Sequence, residues 1–98
     1  MGINIHCYKV VEGKTEDPPF EWDSMRYSGD REFAIATPHV YAEIDRDIDD
    51  GPLWRPKDFK ETREWIDKNI LPEGNRERLF KLMDDLEANP DCWMYSSY

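Results

Sequence analysis

Asp45, Asp47 and Asp49 alternate in the stretch EIDRDIDDGPLWRP, residues 43–56, and Gly51 follows. Carboxylates at this density suit a hard-cation site, an acid/base pair or a surface for a cationic partner. A calcium loop of the EF-hand type sets ligands at positions 1, 3 and 5, glycine at 6 and a bidentate Glu at 12, between two helices. Counted from Asp45, the first three positions match, but position 6 is Asp50 and position 12 is Pro56. The residues before Asp45 also read as a strand, so the EF-hand is set aside. A looser divalent site from Asp45, Asp47 and Asp49, with water completing the shell, stays open. The plainer reading is a solvated acidic turn ended by Gly51-Pro52.

The remaining reactive groups are sparse. His6, His39, Cys7 and Cys92 number four, as a zinc site needs, yet none of the pairs has the local spacing such sites favour. Cys92 with a histidine makes a nucleophile pair only if the fold joins them; a buried thiol is the commoner fate. Asp84 and Asp85 are neighbours on a helix and diverge by about 100°, which unfits them for acid/base work. The five glycines are scattered singly, so there is no phosphate loop. No catalytic residue, metal ligand or cofactor is expected.

Charge says more. Net charge is −9, and two segments carry most of it. Glu43, Asp45, Asp47, Asp49 and Asp50 face only Arg46, and beyond Lys81 there are Asp84, Asp85, Glu87 and Asp91 with no base at all. Such a chain repels nucleic acid and anionic membrane and attracts cationic surfaces. No apolar run approaches the roughly 20 residues of a membrane span. The opening MGINIHCYKV lacks the basic leader and apolar core of a signal peptide, which together with two cysteines predicts a cytoplasmic protein with reduced thiols.

The elements that must position these groups fit one domain over 1–98. Ile3, Ile5, Cys7 and Val11 alternate with polar and aromatic residues as a strand. EGKTEDPP reads as a loop, and Trp22 to Tyr27 with Arg31 to Thr37 as a hairpin turning at Ser28-Gly29-Asp30. A further strand is expected over His39 to Ile44, after the break at Pro38. Phe59, Thr62, Ile66 and Ile70 then recur at helical spacing, with Asp58 and Glu61 in the first turn. Leu79, Leu82, Met83 and Leu86 mark a second helix, capped by Asn75 and stopped at Asn89-Pro90. CWMYSSY reads as a terminal strand paired with the first, since an apolar edge left open invites aggregation. The expected fold is α+β: an antiparallel sheet of about four or five strands, ordered β-β-β-β-α-α-β along the chain, with a two-helix hairpin on one face.

Two features favour a partner over pure stability. The second helix has Arg76 and Arg78 at its positive end and Asp84, Asp85 and Glu87 at its negative end, each costing about 0.3–1 kcal/mol unless tertiary neighbours offset it. Trp22, Trp54, Trp93, Tyr95 and Tyr98 are the residue types of interface hot spots. Trp54, between Gly51-Pro52 and Pro56, is expected exposed, with Arg55 as a second anchor.

MGINIHCYKV together with LWRPKDFKETREWI resembles small phage and prophage proteins that begin Met-Gly-Leu-Asp and later carry Tyr-Trp-Arg before an amphipathic helix. The overlap is about a quarter of the chain, with Asn4 where Asp is usual and Pro56 interrupting the helix start. The resemblance implies a phage or mobile-element origin, and the proteins it points to have no settled activity to carry over.

The expectation is a non-enzymatic interaction protein, monomeric or weakly dimeric, that meets the basic surface of a nucleic-acid-acting protein and inhibits it. Its contacts would be Glu43, Asp45, Asp47, Asp49, Asp50, Trp54, Arg55, Asp84, Asp85, Glu87, Trp93 and Tyr95. A small metal- or ligand-binding protein using Asp45, Asp47 and Asp49 is the rival, and a purely structural domain a third.

Overall fold

A computed structural model describes residues 3–24, 29–40, 42–48, 51–70 and 73–97, with side chains except at 37–40, 42–48, 51–52 and 73–74. In chain order the elements are β1 (Asn4–Val11), β2 (Lys14–Glu16), α1 (Asp30–Val40), β3 (Ala42–Ile48), β4 (Gly51–Pro56), α2 (Phe59–Asn69), α3 (Glu73–Ala88) and β5 (Cys92–Ser97). The five strands form one antiparallel sheet ordered β2-β1-β5-β4-β3. The class is α+β as expected, but the order along the chain is β-β-α-β-β-α-α-β, and the helical layer has three helices rather than two.

The terminal strand pairs with the first, as its apolar edge requires. Cys7 lies opposite Met94, Tyr8 opposite Trp93 and His6 opposite Tyr95. Trp54 lies opposite Met94 on the other side, so β5 is the central strand. β2, absent from the sequence reading, follows a two-residue loop in which Glu12 (φ 52°) and Gly13 (φ 79°) are both left-handed. Such a loop matches the twist of a tight hairpin, whose charged, exposed second arm hid it in the sequence.

The expected hairpin around Ser28-Gly29-Asp30 is a helix start instead. Residues 25–28 lie outside the description, and α1 begins at Asp30, its first turn closed by the Phe33 N–H donating to the Gly29 carbonyl (3.0 Å). Phe33 and Ala34 are both buried while Ile35 is 43% exposed. Adjacent buried residues followed by an exposed one fit a helical stripe and not strand alternation. α1 runs through Pro38 and His39, so the strand expected to begin at His39 begins at Ala42. Gly29 itself sits at φ +93°, and an added Cβ would meet Ile70 at 3.1 Å and Asn75 at 3.2 Å.

The acidic stretch is likewise not a turn. Residues 42–48 form the edge strand β3, with a bulge between Ile44 and Arg46, and Gly51-Pro52 opens β4 rather than ending a loop. Asp49 and Asp50, at the hairpin tip, lie outside the described residues. With strands rather than helices on both sides, the EF-hand geometry is excluded.

Helices close on one sheet face only. Phe33 of α1, Ile66 of α2 and Leu79, Leu82, Met83 and Leu86 of α3 share a core with Ile5, Cys7, Trp54, Cys92 and Met94. α2 starts at Asp58, whose side chain accepts from the Glu61 N–H (3.0 Å). Asn75 is buried inside α3 and is not its cap, because that helix begins at Glu73. Asn89-Pro90 does follow its end.

Trp54 is the largest correction. The indole expected in a loop is 2% exposed in β4, tilted against Phe33 at 5.7 Å, its Nε1 donating to Ser96 Oγ (3.0 Å). Trp54→Ala should therefore cost about 3–5 kcal/mol of stability. A lower urea midpoint at unchanged slope is the expected readout; a loss below about 1 kcal/mol would place Trp54 outside the core.

Candidate functional site

Strand alternation decides what the helix-free face carries. Because Ile5, Cys7, Trp54, Cys92 and Met94 point into the helical core, His6, Tyr8, Leu53, Arg55, Trp93 and Tyr95 project on the other face, where Leu53 (1% exposed) and Trp93 are nonetheless buried. His6 stands between Tyr8 (ring centroids 6.5 Å, 20° between planes) and Tyr95 (6.1 Å, 29°), forming a stacked row across β1 and β5. All three rings are half-buried, whereas Trp93 is 8% exposed. Trp93 and Tyr95, predicted as contact residues, thus share this face with His6 and Tyr8, which the sequence reading treated only as strand residues. The cross-strand register is what assembles them.

Arg55 has work inside the fold. Its Nη1 donates to the Cys92 (2.6 Å) and Asn89 (3.2 Å) carbonyls, and Nη2 to the Leu86 carbonyl (2.8 Å). The guanidinium also lies 5.8 Å from the Trp93 ring and 5.5 Å from Phe59. Arg55 thereby brings a cation to the C-terminal carbonyls of α3, which its own last turn does not supply. An exposed anchor is the wrong description.

The helix-end acids have partners too, two across to α2 and one within α3 itself. Arg63 of α2 donates to Asp84 Oδ1 and Glu87 Oε1, both at 2.8 Å, and Lys81 to Asp85 Oδ2 at 2.9 Å. At the other end, Arg76 approaches Asp67 (3.7 Å) and Arg78 grips Asp30 (2.9 and 3.0 Å). Arg78 also donates to the Asp23 carbonyl and stacks 4.0 Å above Trp22. The charge order of α3 that suggested a partner is accounted for by neighbours within the fold. Asp84 and Glu87 remain largely exposed, so their pairs are worth little individually.

Two acidic stretches flank the sheet. Glu43, Asp45 and Asp47 lie along the edge strand β3, Glu43 opposite Arg55 and Asp47 opposite Pro52, with Asp45 at the bulge. The second stretch escaped the sequence reading: Glu16, Asp17, Glu21 and Asp23 have no Lys or Arg among them in the sequence, but in the fold Lys81 lies against Glu21 and Asp23 and Arg78 donates to the Asp23 carbonyl. The stretch lies beside β1, where Asp17 and His6 line one groove.

Nucleophilic chemistry at the cysteines is opposed by burial. Both thiols are free and buried, and burial raises each above its ordinary value, Cys7 most and Cys92 with the help of Asp91. Cys7 and Cys92 point into the core while His6 points away from it, so these three cannot converge on one metal. Among the described residues, no cluster of three or more His, Cys, Asp or Glu could hold a metal ion, and no helix is long and apolar enough to cross a membrane.

No protein-family model, curated protein or solved structure matches this chain. The geometry alone has to indicate its use.

Two outcomes test this assignment of charges. Arg55→Gln should cost about 1.5–3 kcal/mol, because three carbonyls lose a charged donor although those of Leu86 and Asn89 keep a backbone one, while Asp84→Asn should cost less than about 1 kcal/mol. Equal losses in urea titrations would contradict the account. Burial also holds the Asp30 carboxyl above its ordinary 3.8, outweighing the opposite pull of Arg78. A carboxyl raised in the folded state binds its proton more tightly there, so its contribution to stability falls as pH rises through the window above 3.8. Stability of Asp30→Asn relative to the parent should therefore rise across that window; a flat difference would mean the Asp30 charge costs the fold nothing.

Proposed function

We propose that this chain is a non-enzymatic binding protein whose open sheet face docks on the basic surface of another macromolecule. The observation that carries the reading is the one-sided sheet. Helices cover one face, and the other presents the stacked His6, Tyr8 and Tyr95 row over Trp93 in a chain of net charge −9. Amphipathic rings contribute large contact area at small entropy cost, and they dominate hot spots where water is excluded. The flanking carboxylates steer a cationic partner toward that face and repel nucleic acid.

The partner class that best matches is a protein that itself grips nucleic acid, since such a protein keeps a basic groove. Occupying that groove inhibits it. The resemblance of the opening and of residues 53–66 to phage and prophage proteins supports a mobile-element origin, with the cytoplasm of a host cell as the working place. The acids of 43–50 contribute the long-range field, and Tyr95 with His6 and Tyr8 the contact; Trp93, buried beneath that row, contributes with Trp54 and Arg55 through the fold.

The reading is tested with the immobilised chain and the nucleic-acid-acting protein it captures from its host. Association should slow as added salt shortens the screening length from about 30 to 8 Å. Reversal of Asp45, Asp47 and Asp49 to Lys should slow it at least about tenfold. Tyr95→Ala should instead speed dissociation about 30-fold, as a hot spot of about 2 kcal/mol does. Binding indifferent to salt, to the reversal and to Tyr95 would overturn the proposal.

A further inference from the structure

Between β2 and Trp22 the outer edge of β1 opens for a single rung. In an antiparallel sheet, successive residues aim their backbone N–H and C=O groups alternately at the strands on either side. The Val10 N–H donates to the Asp91 carbonyl on the β5 side (2.9 Å), so Cys7, out of phase with Val10, aims its own groups at the outer edge. On that edge Lys9 is matched by Glu16 of β2, and the Ile5 carbonyl accepts from Trp22 Nε1 (2.8 Å). Continued in register, β2 would bring Pro18 opposite Cys7, and Pro18 has no N–H to give the Cys7 carbonyl.

Cys7 helps line a groove of about 330 Å³, a volume within the roughly 300–1,000 Å³ of ligand sites. Tyr8, Phe20 and Trp22 bring half-buried rings to it, Ser24 a hydroxyl and Asp17 an exposed carboxylate. Asp17 is the one carboxylate of the groove, and no Lys or Arg is among its lining residues. Among the described residues no ion pair holds Asp17. Glu21 and Asp23 are elsewhere, against Lys81 and Arg78. The Trp22 wall is fixed in advance, because its N–H is held by the Ile5 carbonyl and Arg78 covers one ring face at 4.0 Å.

A carboxylate, a carbonyl and a hydroxyl beside aromatic rings match a planar cation that carries donors only. Guanidinium has five N–H donors and no acceptor, and it stacks on rings where an ammonium does not. The chain seats its own arginines in the same way. Arg78 meets the Trp22 ring, the Asp23 carbonyl and Asp30, and Arg55 meets the Trp93 ring and three carbonyls.

We propose that this groove receives one arginine side chain of the basic partner, its guanidinium paired with Asp17, donating to the Cys7 carbonyl and stacked on the rings of Tyr8 and Phe20. His6 and Tyr8 belong to both the groove and the open sheet face, so an arginine seated here continues the docking surface. The inference rests on the reading of the partner as basic and names the contact that selects it.

The test uses the intact chain with acetyl-arginine-amide and its lysine and citrulline analogues; citrulline keeps the shape of arginine and loses the charge. Binding is read from the Trp22 indole and Cys7 amide resonances in ¹H–¹⁵N spectra. The arginine compound should move both signals and bind at least about tenfold more tightly than citrulline, because charged donors contribute more than neutral ones. The lysine compound should bind more weakly than arginine. Asp17→Asn should cost about tenfold in arginine affinity and speed dissociation of the captured partner to a similar degree. Citrulline or lysine binding as tightly as arginine would overturn guanidinium recognition. Partner dissociation unchanged by Asp17→Asn, in a chain that still binds acetyl-arginine-amide, would assign the groove to a free guanidinium compound and overturn its docking role. Unmoved Trp22 and Cys7 signals, in a chain that still binds its basic partner in a salt-dependent way, would overturn the arginine site and leave the basic-partner reading standing.

Discussion

The Arg55 guanidinium is the contact on which the architecture turns. It leaves β4, crosses to the carbonyls of Leu86, Asn89 and Cys92, and so joins the end of α3, the short turn after it and the start of the central strand. The Leu86 and Asn89 carbonyls also accept from the Asn89 and Cys92 N–H groups, and Asn89 Nδ2 meets the Asp85 carbonyl; what Arg55 adds is a positive charge at an end that carries its own acids, Asp84, Asp85 and Glu87. Those acids pair outward, Asp85 with Lys81 of the same helix and Asp84 and Glu87 with Arg63, which ties α2 to α3. β5 enters the sheet from a fixed point, and Met94 between Cys7 and Trp54 then sets the register on both sides.

The same economy of charge operates at the far end of α3. Arg78 meets the buried Asp30 at the start of α1 and the Trp22 ring from the segment that returns to β1. α1 and α3 are thereby drawn together over one face, and the sheet's other face is left to His6, Tyr8, Leu53, Trp93, Tyr95 and Arg55. One-sidedness of this kind separates two roles. Internal ion pairs hold the helical layer, and the aromatic row faces outward with acids to either side.

How much of this was legible depended on whether local pattern and tertiary demand agreed. β1, α2, α3 and the pairing of the terminal strand were readable because Ile5 and Cys7, Ile66 and Ile70, and Leu79 to Leu86 keep strict periods of two or near four. α1 was not: Phe33 and Ile35 mimic strand alternation, and only burial shows that Phe33 and Ala34 form the buried stripe. A helix signal is present there in the acids at Asp30 and Glu32, which fall in its first turn. Trp54 was misplaced because two prolines beside it argue for a loop, although an edge-proximal strand tolerates them. For the site, Trp93 and Tyr95 were found by residue type, but His6 and Tyr8 join them through cross-strand register, which no single segment encodes. The carboxylates of α3 misled because a helix read alone cannot show Arg55 or Arg63 arriving from elsewhere.

The central claim is that partners meet the aromatic sheet face and not the acidic end of α3. The most direct measurement is a titration of the isotope-labelled chain with its captured basic partner, following the ring resonances of His6, Tyr8 and Tyr95 alongside the amides of Asp84, Asp85 and Glu87. The account predicts that the three rings shift together at substoichiometric partner while the three amides hold their positions. Shifts confined to the α3 amides, with the rings unmoved, would contradict it.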